Sequence, residues 1–390
     1  MVEVVLNPAA GSGLAESVYT THLVPLLGAD ELRVHRTTSA GDGVRIGRTL
    51  IHTHTSLHPT TPLDIILVGG DGTTHEILNG ILLSSALGSV QVRLAVVPAG
   101  TANALFAALY PEHWTQDVQH RVAAAHSTAE LDASVVDVML RSVKSLAASL
   151  RSGTQGCVDL PLMHVDLGSQ QIVAHLVTSH ALHAAILHDA DTPAMRARHT
   201  GIDRFKAAAA LNATRWTQAT LTLHPPPSGI QQYSPKTSSF ELVQNAELVL
   251  EGPFLYLNAM LTDRLESAFI PAPLSSALRL PKDAVDVVVI RPTRDPALTG
   301  QPNDGETFAQ TRLGPITAGM YAGGTHIDLT YDSTLPMVEY FRCAGYDLHA
   351  GGGDKDRLVC TDGFVSDAEH VKVTRWQPQE DALPAPLIWR

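Results

Sequence analysis

A chain of 390 residues that is 44% apolar and 17% charged can bury more core than one small domain needs, so we expect two domains. The formal net charge of -12 excludes nucleic acid as an expected partner, because an anionic surface repels a polyphosphate backbone. The cysteines Cys157, Cys343 and Cys360 are too few and too scattered for a disulfide framework, which favours a reducing, cytoplasmic setting.

The amino terminus, MVEVVLNPAAG, predicts a strand that starts at once, without the basic and apolar segments of a signal peptide. No stretch approaches the ~18 uninterrupted apolar residues that a membrane span needs. If the substrate is a lipid, we therefore expect a protein that associates only transiently with a membrane surface.

The first third of the chain alternates short β-rich runs with helical stretches in a regular order. Four apolar, β-branched runs predict strands, at residues 2–6, 32–36, 64–68 and 92–97. Residues 43–53 and 74–84 carry apolar side chains at helical spacing. This order is typical of a parallel sheet with crossover helices, so we predict a Rossmann-like parallel α/β domain over residues 1–150.

Beyond residue 150 the pattern changes. Strand-like segments follow one another with few helical stretches between them, at residues 158–165, 172–177, 219–223, 246–250 and 284–290. Such a run is typical of an antiparallel, β-sandwich-like domain, which we place at residues 151–390. The polar, glycine-containing stretch 151–156 is the predicted linker.

Three of the four predicted strands run into turns that combine glycine with small polar residues: NPAAGSG at 7–13, GGDGTTHEILNG at 69–80 and PAGTANAL at 98–105. The carboxyl ends of parallel strands share one edge of a sheet, where ligands bind. Glycine lets backbone N–H groups approach a ligand, and the following helix offers its positive end to an anion, so the turns predict a phosphate site. Ordinary turn chemistry is the alternative for each turn taken alone.

The chain has no GxxxxGK[ST] and no complete GxGxxG, so neither a P-loop nor a Rossmann dinucleotide site is supported.

The three turns resemble the conserved blocks of the diacylglycerol kinase and sphingosine kinase catalytic superfamily. GGDGT also occurs in NAD kinases, but the extension HEILNG and the PAGTAN block favour lipid kinases. The resemblance implies that ATP, with Mg2+, is held in a cleft between an α/β domain and a β-rich lipid-binding domain, and that a lipid substrate is phosphorylated there. It assigns nucleotide contacts to Asn7, Pro8, Gly11, Ser12, Gly13, Thr38, Gly69, Gly70, Gly72, Thr73, Glu76, Gly100, Thr101 and Asn103.

Asp71 lies at the apex of GGDGT, directly after a predicted buried strand. Phosphoryl transfer needs a group that takes the proton of the attacking hydroxyl, and we predict that Asp71 is this catalytic base. A role in placing magnesium is one alternative. An aspartate that only caps the helix beginning near Thr73 or Thr74 is another, because the spacing suits it as well.

A cationic stretch in this acidic chain, HDADTPAMRARHTGIDRFK at 188–206, places basic side chains beside two carboxylates. Taken alone, it is typical of a solvated helix face. Its DxD pair and RxxGxxRF spacing resemble those of sphingosine kinases, which implies that Arg198 and Arg204 contact ATP phosphates and that Asp191, with Asp189, meets the lipid head group. A carboxylate can pair with the ammonium of a sphingoid base, whereas diacylglycerol has no cation, so this stretch favours a sphingoid base. The third block, however, contains the sequence TAN, which is more common in the diacylglycerol branch of the family and favours that alternative.

A later segment resembles the sphingosine kinase stretch in which a Gly-His turn leads to a strand ending at an arginine, here His326 and Arg342. The family has DGE shortly afterwards, with its Asp near the nucleotide phosphates and metal. Asp362 and Gly363 match this motif and are therefore assigned to the nucleotide, whereas Phe364 stands in place of the acid.

Three hypotheses for the function remain open. The first is a sphingoid-base kinase, the second a kinase for diacylglycerol, ceramide or another lipid alcohol, and the third a non-catalytic nucleotide- or lipid-binding protein, which Phe364 motivates. Apolar runs at 181–187 and 255–261 are candidate linings for a lipid tail, with core packing as the alternative for each residue. The 19 histidines include no HExxH and no Cys/His set at zinc spacing, so the sequence predicts no protein metal site.

Overall fold

The computed structural model describes residues 1–84, 90–153, 156–199, 203–275, 281–332, 334–377 and 383–390. They form two compact units, of which the first comprises Met1–Leu162, Arg264–Ser267 and Trp376–Arg390, and the second Met163–Asp263 and Ala268–Arg375. This division differs from the predicted boundary at residue 150, because the chain returns twice to the first unit. The predicted linker begins with the end of a helix, and its residues 154–155 lie outside the described ranges.

In the described residues, the strands in chain order are β1 Val2–Leu6, β2 Leu32–Arg36, β3 Leu63–Gly69, β4 Val92–Pro98, β5 Cys157–Asp159, β6 Met163–Asp166, β7 Gln171–Ala174, β8 Val177–His180, β9 Ala219–His224, β10 Ile230–Ser234, β11 Ser239–Gln244, β12 Leu248–Glu251, β13 Tyr256–Met260, β14 Val285–Ile290, β15 Thr330–Tyr331, β16 Leu335–Pro336, β17 Glu339–Cys343, β18 Gly345–Ala350, β19 Leu358–Thr361, β20 Phe364–Asp367, β21 His370–Arg375 and β22 Leu387–Trp389. The α-helices are Ala15–Val18, Val24–Leu27, Asp42–Leu57, Asp71–Leu82, Ala104–Leu109, Gln116–Ala124, Ala133–Met139, Arg141–Ser152, Ala181–Ala190, Pro193–Arg198, Asp203–Asn212, Asp304–Phe308 and Gly314–Tyr321. Shorter helical turns are Tyr19–Leu23, Ala29–Glu31, Thr128–Glu130, Pro292–Arg294, Ala309–Leu313, Thr325–Asp328 and Asp354–Arg357. Within these ranges, none of the helices has both the length and the apolar character that crossing a bilayer requires.

The first unit is built on a sheet with the strand order β2-β1-β3-β4-β22-β5. β1 to β4 pair in parallel, which confirms the predicted α/β sheet. β1 and β3 are buried along their whole length, and this explains their continuous apolar sequences. β22 pairs in parallel with β4 and antiparallel with β5. The last residues therefore belong to the first unit, because their backbone completes the hydrogen bonding of its sheet.

Two predicted helices, Asp42–Leu57 and Asp71–Leu82, pack against each other through glycines. A Cβ on Gly47 would lie 2.5 Å from the carbonyl oxygen of Ile77, and a Cβ on Gly80 would lie 2.2 Å from that of Val44. The last glycine of HEILNG is therefore required by helix packing. This contact holds the second helix, which begins at Asp71, at a fixed place beside the sheet.

The second unit contains two antiparallel sheets, with the orders β11-β10-β17-β14-β13-β8-β19-β20 and β12-β9-β18-β21-β6-β7. Their facing sides share one core that includes Leu221, Leu257, Val287, Phe341 and Tyr346, each at most 1% exposed. Two layers of antiparallel strands around one apolar core confirm the predicted sandwich-like domain.

Two of the strands predicted for this region are wrong in extent. The segment 158–165 is interrupted at Pro161, which has no N–H to donate to a ladder, so that β5 joins the first unit and β6 the second. The segment 172–177 contains the end of β7 and the start of β8, which lie in different sheets. The apolar run 181–187 is helical, as part of Ala181–Ala190.

Candidate active site

β1, β3 and β4 end at the same side of the first sheet, and each leads into a turn. The three segments that contain these turns and their flanking residues, 7–13, 69–73 and 98–103, are called the glycine-loop cluster. The Asn7 backbone N–H donates to the Val68 carbonyl at 3.0 Å, and the Ala99 N–H donates to the Gly69 carbonyl at 2.9 Å. The Asn7 side-chain Nδ2 donates to Thr73 Oγ1 at 2.9 Å. Parallel pairing thus brings together the three sequence blocks that predict a phosphate site.

The loops of this cluster approach so closely that two positions require glycine. Gly11 has a φ of +55°, and a Cβ there would lie 2.4 Å from the Ala99 carbonyl oxygen. A Cβ on Gly100 would lie 2.5 Å from the Cα of Gly70. Bare backbone of this kind, beside a helix amino terminus, is what a phosphate site is built from.

We expect Gly11→Ala to weaken ATP binding and to lower the free energy of unfolding. The added methyl group meets the Ala99 carbonyl and the residue must keep a positive φ, which together cost about 1–3 kcal/mol. Calorimetric titration with a non-hydrolysable ATP analogue and thermal denaturation measure the two effects. Gly28→Ala is the matched control, because Gly28 also has a positive φ but nothing lies within 4 Å of its Cβ position. Unchanged nucleotide affinity in Gly11→Ala would contradict a role of this loop in binding.

The remaining predicted residues of the first two blocks lie beside these contacts. Pro8 is exposed, and Gly13 has a φ of 90°. The Ser12 hydroxyl donates to the Ala125 carbonyl oxygen, outside the cluster. Gly72 lies in the first turn of helix Asp71–Leu82.

Asp71 is the first residue of its own helix, but its carboxylate reaches the amino terminus of another. Oδ2 accepts from the Ala104 N–H at 2.8 Å, and Oδ1 accepts from the Leu105 N–H at 3.1 Å. Both donors belong to the first turn of helix Ala104–Leu109, which follows the third glycine block. Charge-assisted bonds to two amides fix the direction of this carboxylate within the glycine-loop cluster.

Two further predicted nucleotide contacts, Thr38 and Glu76, bind the start of helix Asp42–Leu57 through hydrogen bonds. Thr38 precedes this helix in the chain, whereas Glu76 lies on helix Asp71–Leu82. Glu76 accepts through Oε1 from Gly41 N at 2.9 Å and through Oε2 from Gly43 N at 2.8 Å. The Thr38 hydroxyl and N–H donate to Asp42 Oδ2 at 2.5 and 2.7 Å. These bonds hold the pKa of the Asp42 carboxyl well below its usual range. Asp42 was missed by sequence analysis, although an acid in the first turn of a helix is a recognisable signal.

The third loop is held by two side-chain amides. Asn103 has a φ of 52°, and its side chain both accepts from Gly100 N and donates to the Gly100 carbonyl, each at 2.9 Å. Gln119 donates to the Thr101 carbonyl at 3.3 Å and accepts from Ser267 N at 3.0 Å. No sequence signal marks Gln119, because one of its partners lies far along the chain.

In the second unit, the predicted head-group ligand Asp189 is surrounded by donors. Oδ2 accepts from Asn212 Nδ2 at 2.8 Å and from Lys355 Nζ at 3.1 Å, and Oδ1 lies 2.8 Å from His188 Nδ1. Burial alone raises the pKa of Asp189, but the hydrogen bonds from Asn212, His188 and Lys355 outweigh it and lower that pKa. Asp189 thereby ties two helices to a neighbouring turn.

The other member of the DxD pair is also engaged. Asp191 Oδ1 lies 3.0 Å from Arg196 Nη2 and 3.4 Å from Arg204 Nη2. Arg204 is one of the two arginines assigned to ATP phosphates, and its guanidinium lies 4.7 Å from the centroid of the Phe205 ring. Arg198 is exposed at the end of its helix, and the glycine of RxxGxxRF lies outside the described residues.

Asp362 and Gly363 form the two-residue turn between β19 and β20, with φ values of 49° and 98°. Positive φ at both positions is the geometry that Asp-Gly favours in hairpins. Asp362 Oδ2 accepts from His175 N at 2.9 Å and lies 2.8 Å from His175 Nδ1, while Oδ1 accepts from Leu176 N and Val177 N at 2.9 and 3.0 Å. The side chains of Asp362 and His175 are 0% exposed. This geometry gives Asp362 a structural role in the second unit, and its nucleotide contact stays a prediction.

His326 and Arg342 are likewise held by buried partners. His326 Nε2 donates to the Pro271 carbonyl at 3.0 Å. Arg342 makes two bonds to the fully buried Asp286, at 2.8 and 3.0 Å, and the Tyr340 hydroxyl donates to the same carboxylate at 2.7 Å. Both residues of the sphingosine-kinase-like stretch therefore stabilise the second unit.

The stability of the second unit should fall in mild acid because of His326. Burial lowers the pKa of His326 to about 4, whereas an unfolded histidine has a pKa of about 6.5. His326 therefore binds a proton more readily in the unfolded chain between about pH 6.5 and 4, and it contributes a decrease in the free energy of unfolding of up to about 1.4 kcal/mol per pH unit as the pH falls through this window. Urea denaturation at a series of pH values measures the slope. His326→Gln should reduce it, the exposed control His52→Gln should not, and equal slopes in all three proteins would contradict the assignment.

Parts of the chain are similar in sequence to known proteins. Residues 1–139 match the family model of the diacylglycerol kinase catalytic domain, a range that contains the glycine-loop cluster and Asp71. The chain is 32% identical over 139 residues to sphingoid long-chain bases kinase 1 of Arabidopsis thaliana. This alignment covers 35% of this chain and 16% of that protein. It is 31% identical over 112 residues to the mitochondrial acylglycerol kinase of Xenopus laevis, which covers 28% of this chain and 24% of that protein.

Solved structures share the fold over nearly the whole chain. A crystal structure from Bacillus anthracis, described as a candidate diacylglycerol kinase, superposes with a TM-score of 0.53 at 13% identity and covers 96% of this chain and 94% of that one. A second structure with the same description gives a TM-score of 0.51 at 15% identity. The predicted resemblance to the diacylglycerol kinase catalytic domain is thereby confirmed over residues 1–139, and the solved structures show a shared fold over both units.

Proposed function

We propose that this chain, whose residues 1–139 belong to the diacylglycerol kinase catalytic family, is an ATP-dependent lipid kinase that phosphorylates a primary hydroxyl of a long-chain lipid. The observation that carries the proposal is the convergence of three glycine loops around a carboxylate whose direction is fixed by two amides. Positioning and charge stabilisation, rather than covalent chemistry, are what phosphoryl transfer asks of a protein.

The residues of the glycine-loop cluster fit a polyphosphate. Added Cβ atoms at Gly11 and Gly100 would collide with neighbouring backbone, so the loops pack main chain against main chain at these two glycines. The helix that begins at Asp71 directs its positive end to the same edge. ATP supplies the phosphoryl group, and Mg2+ supplies charge neutralisation, for which a carboxylate such as that of Asp71 is a suitable oxygen ligand.

In this mechanism Asp71 acts as the base. Its carboxylate takes the proton of the lipid hydroxyl while the hydroxyl oxygen forms its bond to the γ-phosphorus and the bond from that phosphorus to the β,γ-bridging oxygen breaks, so that ADP leaves. Arg198 and Arg204 are proposed to hold phosphate oxygens, which requires Arg204 to leave its ion pair with Asp191.

A sphingoid base is the first proposed acceptor. Its ammonium would replace the arginines that now pair with Asp191, which is about half exposed and therefore accessible to exchange. Because such a lipid resides in a bilayer, we also propose a cytoplasmic protein that attaches transiently to a membrane surface.

A neutral lipid alcohol, such as diacylglycerol or ceramide, is the second proposed acceptor. The observation in its favour is that Asp189 and Asp191 already have cationic partners within the chain, which reduces the negative charge available to an ammonium group. The third hypothesis, a non-catalytic binding protein, makes no use of the direction of Asp71.

A lipid panel separates these hypotheses. Purified protein is incubated with radiolabelled ATP, Mg2+ and, in separate reactions, sphingosine, diacylglycerol and ceramide in matched detergent micelles. We expect transfer to sphingosine, and we expect Asp191→Asn to raise the KM for sphingosine without raising that for ATP, because Arg204 loses a competing partner. Transfer to diacylglycerol or ceramide alone would reject the first acceptor and support the second, and no transfer to any lipid alcohol would reject the kinase itself.

A further inference from the structure

Two exposed histidines face each other on the outer side of the six-stranded sheet of the second unit. His349 of β18 is directly paired with His370 of β21. Their chain neighbours Leu348 and Val371 point to the other side, into the core of the unit. Side chains alternate along strands, so both imidazoles lie on the solvent face.

The register brings these two side chains as close as an antiparallel ladder allows. The neighbouring pair, Ala350 and Glu369, is hydrogen-bonded, with Ala350 N donating to the Glu369 carbonyl at 2.8 Å. Hydrogen-bonded and non-hydrogen-bonded pairs alternate, so His349 and His370 form a non-hydrogen-bonded pair, in which the Cα atoms lie about 4.5 Å apart.

The two rings are also close enough for one ion to bind between them. Their centroids lie 4.4 Å apart, with an angle of 79° between the ring planes. Metal–nitrogen bonds of about 2.0–2.1 Å place the centroids of two imidazoles about 4.5–5.3 Å apart when the angle at the ion is about 90–110°. The observed separation of 4.4 Å is close to the lower end of this range.

We propose that His349 and His370 bind one divalent transition metal ion, of the class of Zn2+, Ni2+ or Cu2+, which imidazole favours. Glu369 adds a carboxylate at this place, because its Oε1 lies 3.8 Å from His370 Nε2. Mg2+ and Ca2+ are excluded from the class because they prefer oxygen ligands. The site uses no residue assigned above to the nucleotide or the lipid, so it stands independently of the proposed kinase activity.

Binding should stabilise the folded chain. The two histidines meet only when β18 and β21 are paired, so the metal binds the native state in preference to the unfolded one. The expected result is a saturable rise in the unfolding temperature of the whole chain with added ZnCl2 or NiCl2, and none with MgCl2.

The test uses the full chain after removal of metals with a chelator. Titration calorimetry with ZnCl2 and NiCl2 should show one site, and His349→Gln and His370→Gln should each weaken it at least about tenfold. Both side chains are exposed, so both variants should unfold at the wild-type temperature without metal, which shows that they are folded. His113→Gln, at another exposed histidine, should bind as the wild type does.

The outcomes that overturn the proposal are equally specific. They are wild-type affinity in both His349→Gln and His370→Gln, an equal loss in His113→Gln, and equal stabilisation by MgCl2. A metal titration without binding would contradict the metal site but not the proposed kinase activity. A lipid panel without transfer would contradict the kinase activity but not the metal site.

Discussion

Asp71→Asn should lower kcat for transfer from ATP to the accepted lipid by about 10²–10⁴-fold, because an amide cannot take the hydroxyl proton. The affinity for a non-hydrolysable ATP analogue should change little, since the substitution keeps the size of the side chain and the glycine loops. Radiolabel transfer gives kcat, and titration calorimetry gives the affinity. A loss confined to nucleotide affinity would point instead to the alternative in which Asp71 places magnesium.

The control must separate lost chemistry from lost stability. The asparagine offers one acceptor oxygen to the two N–H groups of Ala104 and Leu105, which costs about 1–3 kcal/mol of stability. Asp64→Asn is a matched control. Asp64 lies near the start of β3, the strand that precedes Asp71, and its carboxylate accepts two bonds from Arg93, at 2.7 and 2.5 Å. It should also lower the unfolding temperature but keep kcat. A kcat equal to that of the wild type in Asp71→Asn would contradict the proposal that Asp71 is the catalytic base.

Asp362→Ala is the change with the largest expected effect on stability. It removes the acceptor for three backbone N–H groups and leaves the buried His175 without its carboxylate. Breaking a buried pair of this kind costs about 3–5 kcal/mol. Urea denaturation measures this loss, and Phe364→Ala in the same hairpin should cost far less because Phe364 is 38% exposed.

The same variant decides between the two roles of Asp362. If the carboxylate only holds the hairpin against residues 175–177, the folded fraction of Asp362→Ala should bind an ATP analogue as the wild type does. A protein with unchanged stability and at least about tenfold weaker nucleotide binding would support the nucleotide contact that the family resemblance assigns.

Features that depend on neighbouring residues could be predicted from the sequence. The first four strands are present and parallel because continuous β-branched runs suit a sheet buried on both faces. The three glycine turns lie together because parallel strands end at one edge. The strand predicted at 158–165 failed because a proline divides it between two sheets.

Features that depend on distant residues were decided by the tertiary structure. Sequence placed Asp71 at a turn, but its direction is set by amides 33 and 34 residues away. Asp362 matches a nucleotide motif, yet its carboxylate is buried against the backbone of residues 175–177, which lie more than 180 positions earlier in the chain. His349 and His370 show no metal-binding spacing, and only the register of β18 with β21 makes them neighbours. Local patterns determine which elements form, whereas strand register and packing determine which side chains meet, because a shift of one residue would turn each of them to the other face.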